Sequence, residues 1–184
     1  MSRLPAANGN GWNSADVTIT WSCTNSLSPI LSGTVTQTLT AEGAAQSATG
    51  MCQDQAGNTA SNTQSGINID KTAPTGVSLV PSGTLGNNGW YTSNVTITTT
   101  GTEAVSGPLT CTGVQSLTTD TASATFNGSC TNLAGFTSNA APLTLKRDAT
   151  NPTITFLNRT PANGNGWNNG DVTLNWSCTD AMSG

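Results

Sequence analysis

Five cysteines, three Trp-bearing turns and a scatter of acids are the side chains of this 184-residue chain with chemistry to offer. Cys23, Cys52, Cys111, Cys130 and Cys178 could close disulfides or hold a soft metal. No two have CxxC spacing and histidine is absent, so disulfides are expected and no resident metal. Asp54, in the stretch DQAGN, and the acids Asp70 and Asp148 offer oxygen ligands that suit calcium. The competing reading is aspartate capping a turn, which is favoured because Asn132 stands where Asp54 would recur. NGNGW (Asn8 to Trp12, again Asn163 to Trp167, with a shorter NGW at Asn88 to Trp90) could cradle a phosphate or simply turn the chain. It could also stack a sugar on Trp12, on Trp90 with Tyr91, or on Trp167. A phosphate loop needs a helix directly after it, whereas a β-like stretch follows here. Asn-Gly supplies the positive φ of tight turns. A turn with an aromatic anchor is therefore the expectation, and glycan stacking the alternative.

Enzyme chemistry has no apparatus. Without histidine there is no Ser/His/Asp or Cys/His site and no general base poised near neutrality. Glu42 and Glu103 sit at non-equivalent positions and are expected to be exposed, which argues against a carboxylate pair. Lys71 and Lys146 invite the thought of a Lys–Asn crosslink, but neither lysine recurs in the other copy of the repeat described below. The threonines between Thr34 and Thr40 raise ice binding, although alternating Thr is equally an exposed strand face. Only 8% of residues are charged and the net charge is -4, so there is no basic surface for nucleic acid or for a membrane. No apolar run is long enough to span a bilayer. The leading MSRLPAAN is not a secretory leader, so a secreted protein would contain this chain as a piece of something longer.

These residues are positioned by a repeat. Trp12 and Trp90 are 78 apart, and Trp90 and Trp167 are 77 apart. The 78-residue shift aligns DVTIT (Asp16 to Thr20) with NVTIT (Asn94 to Thr98), Cys52 with Cys130, Ala56-Gly57 with Ala134-Gly135, and Asp70 with Asp148. Boundaries fall at D-x-T-x-P-T, where proline blocks both sheet pairing and helix and makes a short stiff linker. Copy one is expected to span 1–71 and to lack its first strand. Copy two spans 72–149, and copy three, 150–184, holds first strands only.

Within a copy the alternation has period two. Val17, Ile19, Trp21 and Cys23 point one way, and Val172, Leu174, Trp176 and Cys178 repeat them. Further strands are expected at 77–80, 35–40, 48–52, 66–69, 125–130 and 143–147, with no helix. Copy two keeps Cys130 but has Gly101 at the place of Cys23; its other cysteine, Cys111, matches Gly33. Bridges Cys23–Cys52 and Cys111–Cys130 are expected, with Cys178 unpaired in this chain. Trp accompanies the first cysteine (Trp21 with Cys23, Trp176 with Cys178), as an inward Trp packed over a sheet-to-sheet disulfide would. Such bridges imply an oxidising compartment.

The strand DVTITWSC, the stretch C-x-D-x-AGN (Cys52 to Asn58) and the closing D-x-TAPT resemble bacterial immunoglobulin-like tandem repeats of large secreted and surface proteins and adhesins, hyalin-type repeats among them. The resemblance covers essentially the whole chain. Copy two departs from it at Asn132, at Phe136 and in its relocated cysteine. It implies an all-β chain of Ig-like β-sandwich domains, extracellular, acting as a stalk, spacer or filament-forming segment. Adhesion or glycan binding is the alternative. Partners are then neighbouring repeats, with head-to-tail self-association through the incomplete terminal copies as a further expectation.

Overall fold

The computed structural model describes residues 1–31 and 34–183. Among these the chain forms β1 (Ser2–Leu4), β2 (Trp12–Asn13), β3 (Val17–Ser22), β4 (Thr34–Leu39), β5 (Gly43–Gln53), β6 (Thr59–Ile69), β7 (Thr75–Ser82), β8 (Trp90–Tyr91) and β9 (Val95–Thr102). There follow β10 (Thr110–Cys111), β11 (Gln115–Leu117), β12 (Thr121–Phe126), β13 (Ser129–Thr131), β14 (Thr137–Asn139), β15 (Leu143–Arg147), β16 (Thr153–Arg159) and β17 (Leu174–Thr179). The protein is all-β, and among the described residues the one helical element is a 3-10 turn at Asn87–Gly89.

Two compact units emerge. The first comprises 1–79, 99–113 and 127–141, and the second 80–98, 114–126 and 142–184. In the first, sheet β1-β3-β4 and sheet β2-β6-β5 enclose a core of Val17, Ile19, Trp21, Ala48, Ile67 and Ile69, with Val35 and Leu39 packed against it. The period-two pattern of β3 explains this: Val17, Ile19 and Trp21 are buried while Thr18 and Thr20 face outward. The outward threonines pair across strands, Thr18 with Thr38 at 2.9 Å and Thr20 with Thr36 at 3.4 Å. A third sheet, β10-β13-β14, belongs to the same unit. The second unit holds β12-β15-β8 and the hairpin β16-β17, and β11-β9-β7 is a further three-stranded sheet. Among the described residues of the second unit, Val95, Ile97, Leu117 and Leu145 are buried apolar side chains.

Several expectations need correction. Copy one does not lack its first strand, because β1 pairs with β3 through Ser2↔Thr20, Arg3↔Ile19 and Leu4↔Thr18. It takes the edge that β7 takes beside β9 in copy two. The strand expected at 125–130 is two strands in different sheets, β12 and β13, divided at Asn127-Gly128. The apolar alternation of copy three does not point into a core: Val172, Leu174 and Trp176 are all exposed, since β17 has only β16 beside it. Gly33, matched to Cys111 above, lies outside the described residues.

Cys23 is bonded to Cys52 and Cys111 to Cys130. The first bridge joins the end of β3 to β5, in different sheets. The second does not cross between sheets, because Cys111 and Cys130 are direct neighbours on antiparallel β10 and β13. Copy two thus keeps a bridge at Cys130, with Gly101 at the position that matches Cys23. Trp21 lies across the backbone of Gly50, where an added Cβ would come within 2.7 Å of Cε3 and 2.8 Å of Cγ. Gly50→Ala should therefore destabilise the first unit by about 1–3 kcal/mol through overpacking. Urea unfolding followed by Trp fluorescence reads this, and an unchanged midpoint would contradict it.

Candidate functional site

The two motifs that looked chemically active, NGNGW and DQAGN, are one five-residue loop. Asn8, Asp54, Asn132 and Asn163 each send their N–H to the carbonyl four residues on, at 2.8 to 3.0 Å. Each receives the N–H of the glycine three residues on, at 2.9 to 3.1 Å. In every case the side-chain Oδ1 accepts the N–H of the fifth residue: Trp12 at 3.1 Å, Asn58 and Phe136 at 2.9 Å, Trp167 at 3.0 Å. The glycines have φ of 80°, 92°, 98° and 84°, a region that penalises any side chain. An Asx oxygen followed three residues later by glycine thus builds the turn from local bonds alone. The five residues that end in the middle NGW begin with Gly86, which has no such oxygen. There the chain instead winds into the 3-10 turn, with Asn88 at φ 53°.

Two of these loops, those of Asn8 and Asn132, lie at the first D-x-T linker. Asp70 is fully buried; its N–H donates to the Asn13 carbonyl at 3.0 Å and its Oδ1 accepts the Thr72 N–H at 2.9 Å. Its Oδ2 accepts the Ser106 hydroxyl and, at 3.0 Å, the Asn132 amide. The same Asn132 Nδ2 lies 2.9 Å from the Thr72 carbonyl and 2.9 Å from Glu103 Oε2. Glu42 holds the linker from the other side, accepting the Lys71 N–H at 2.7 Å and the Thr72 hydroxyl at 2.9 Å. Nearby, the side-chain amides of Asn8 and Asn10 donate to the Leu133 carbonyl at 2.8 and 3.1 Å. The loop of copy one therefore rests on the loop of copy two.

Seventy-eight residues on, the pattern recurs. Asp148 donates its N–H to the Tyr91 carbonyl at 2.9 Å, and its Oδ1 accepts the Thr150 N–H at 3.0 Å. Its Oδ2 takes the Ser183 N–H at 3.1 Å. Asp120, which aligns with Glu42, accepts the Ala149 N–H at 3.0 Å and the Thr150 hydroxyl at 2.7 Å, and pairs with Arg147. The equivalence of Glu42 and Asp120 escaped sequence reading because the residue types differ.

A second missed pair explains why copy two departs from the D-x-AGN pattern. Asn25 and Glu103 align, and each accepts two N–H groups of its own following turn. In copy one the Asn25 amide donates to Asp54 Oδ2 at 3.1 Å, whereas in copy two Glu103 accepts from Asn132. Donor and acceptor have changed places together. An aspartate at 132 would set three carboxylates against one another; asparagine supplies the donor that Asp70 and Glu103 need. The expectation of an exposed Glu103 is accordingly corrected: it is half-buried and bonded.

The oxygens of the three calcium candidates Asp54, Asp70 and Asp148 are engaged by protein donors, and among the described residues no three acidic, Cys or His side chains gather as metal ligands. The stacking candidates do not behave alike. Trp12 is buried at 8% exposure, so its ring is not open to a sugar. Trp90 and Tyr91 are half-buried, Trp90 with the Lys146 ammonium 5.0 Å from its ring, and Trp167 is 75% exposed. Lys71 pairs with Asp16 at 2.8 Å. Cys178 is an exposed thiol. Among the described residues no helix is long and apolar enough to cross a membrane. No protein-family model matches the sequence, and no curated protein matches it.

Four acids titrate below their ordinary range. The Asn58 amide and N–H hold Asp54 down, and the Thr150 hydroxyl with the Ala149 N–H does so for Asp120. Burial pushes Glu103 up, but the Val105 N–H and the Asn132 amide, with further N–H donors, outweigh it. The N–H groups of Met182 and Ser183 lower Asp180. Each group is more acidic folded than unfolded, so its contribution is complete above the ordinary values of 3.8 for Asp and 4.5 for Glu and is lost as the pH falls below them. The melting temperature should hold between pH 7 and about 5 and fall below about 4.5, less steeply in Asp120→Asn. Asn132→Asp should cost at least about 1–3 kcal/mol at pH 7. That deficit should shrink on acidification as one of the three carboxyls takes up a proton. Thermal melts at stepped pH check both; a pH-independent deficit for Asn132→Asp would refute the carboxylate clash.

Proposed function

We propose that the chain is a structural segment of an extracellular, bacterial-type surface protein. In this reading it is built of tandem Ig-like β-sandwich repeats of about 78 residues, with divisions at 1–71, 72–149 and 150–184. Its role is that of a stalk or spacer rather than a catalyst. The single observation that carries the reading is the buried Asp70 carboxylate, held by Ser106 and Asn132 while Thr72 closes on Glu42. A linker whose Asp70, Lys71 and Thr72 are held by hydrogen bonds from both sides suits load-bearing and spacing. A flexible tether would leave those groups to water. The disulfides support an oxidising location, since thiols in a reducing compartment would not persist as bridges. The likeness of DVTITWSC, C-x-D-x-AGN and D-x-TAPT to bacterial Ig-like repeats adds to this reading.

A second reading, glycan contact, narrows to Trp167, whose exposed ring stands in a hollow with Asn168 and Asp171. Small-angle scattering of the chain against Asp70→Ala and Asn132→Ala tests the spacer role. The variants should show a broadened distance distribution while far-UV circular dichroism stays that of the parent. Identical scattering curves would count against a stiff linker. A glycan-array signal lost in Trp167→Ala would favour the second reading instead.

A further inference from the structure

The groups around Asp70 come from two short stretches of copy two. Glu103 and Ser106 lie in the turn between β9 and β10, and Asn132 and Ala134 lie in the loop between β13 and β14. Ser106 joins the two stretches. Its carbonyl accepts the Leu133 N–H at 2.9 Å, and its hydroxyl, which donates to Asp70, accepts the Ala134 N–H at 3.3 Å. Five residues after Ser106 comes Cys111, in β10. This strand has two residues, stands at the edge of its sheet and pairs with β13 through Thr110↔Thr131 and Cys111↔Cys130. So short a ladder holds little by itself, and one of its two residue pairs is the disulfide.

The relocated cysteine acquires a reason from this. In copy one Cys23 and Cys52 each stand two residues before the bonded pair Asn25 and Asp54, so the bridge braces that pair directly. The same count back from Glu103 and Asn132 reaches Gly101 and Cys130. With Cys111 as the partner, the bridge instead fixes the exit of the turn that carries Ser106, while β9 fixes its entrance. Cys130 is fully buried and Cys111 is half-buried, so the bridge is reached from the Cys111 side.

We propose that the Cys111–Cys130 bridge is a redox-sensitive clasp on the Asp70 junction. Closed, it keeps Ser106 and Glu103 where Asp70 and Asn132 use them. Opened by a dithiol, it frees the 103–111 segment, and the junction loses those partners. A thiolate of the dithiol attacks Cys111 Sγ, the S–S bond breaks, and Cys130 leaves as a thiolate that takes up a proton. The second thiol then closes the reductant's own disulfide and releases Cys111, so two electrons and two protons pass to the bridge. β13 keeps β14 on its other side, which confines the opening to an edge strand and lets oxidation reverse it. The effect on spacing rests on the stiff-linker reading, whereas the clasp itself is read at the amides.

The test is amide hydrogen exchange in a Cys178→Ser background, which removes the exposed thiol as a rival. Cys111→Ser opens the bridge and leaves Cys130 as a buried thiol, which packs as a small apolar group. It should speed exchange of the Leu133 and Ala134 N–H groups about tenfold or more, with the amides of β6 unchanged. Dithiothreitol, titrated against alkylation of Cys111, should do the same to the intact bridge, and reoxidation should reverse it. Leu133 and Ala134 amides that stay protected with the bridge open overturn the proposal. So does a Cys111 that dithiothreitol exposes only when β6 loses protection too, because the bridge then opens by unfolding. Small-angle scattering of the opened chain separates the two readings: an unchanged distance distribution beside faster exchange rejects the stiff linker and leaves the clasp.

Discussion

A carboxylate without water around it must be surrounded by donors, and Asp70 is the point from which the junction in the first unit is organised. Its two oxygens take one backbone N–H, one hydroxyl and one amide, from Thr72, Ser106 and Asn132. Each donor is itself fixed: Ser106 Oγ accepts the Ala134 N–H at 3.3 Å, and Asn132 is the first residue of an Asx loop. The demand of a single buried charge thereby sets the position of two loops that lie far from it in the chain.

The rest of the molecule works with little apolar material. The core of the first sheet pair is six buried side chains with two more against them. A core this small suits a chain whose surface strands are rich in threonine and whose loops close through their own Asx side chains. Trp21 supplies bulk, and it can do so because Gly50 opposite has no side chain to displace it. Copy two solves the same problem differently. It has Thr99 and Gly101 in place of Trp21 and Cys23, Val77 and Leu79 fill the space, and the bridge moves to Cys111.

The loops were legible in the sequence to different depths. The turn reading of NGNGW and the capping reading of Asp54 agree with the hydrogen bonds of Asn8 and Asp54, and the alternation of β3 agrees with its burial. Periodicity failed where burial depends on a partner sheet: Trp176 and Trp21 share a local sequence, but one is exposed and the other buried. The pairs Glu42 with Asp120 and Asn25 with Glu103 were hidden because a match of letters does not register a match of oxygen position.

By itself the sequence determined the spacing of the motifs and the form of their turns, because an Asx oxygen and a glycine three residues on close their bonds within five residues. Only the tertiary structure decided which side chains became donors and which acceptors at the junction. Whether position 54 or 132 should be acid or amide depends on what faces it. Asn25 faces Asp54, whereas Asp70 and Glu103 face Asn132. Hydrogen-bond complementarity belongs to the pair, and the pair forms only when the chain has folded.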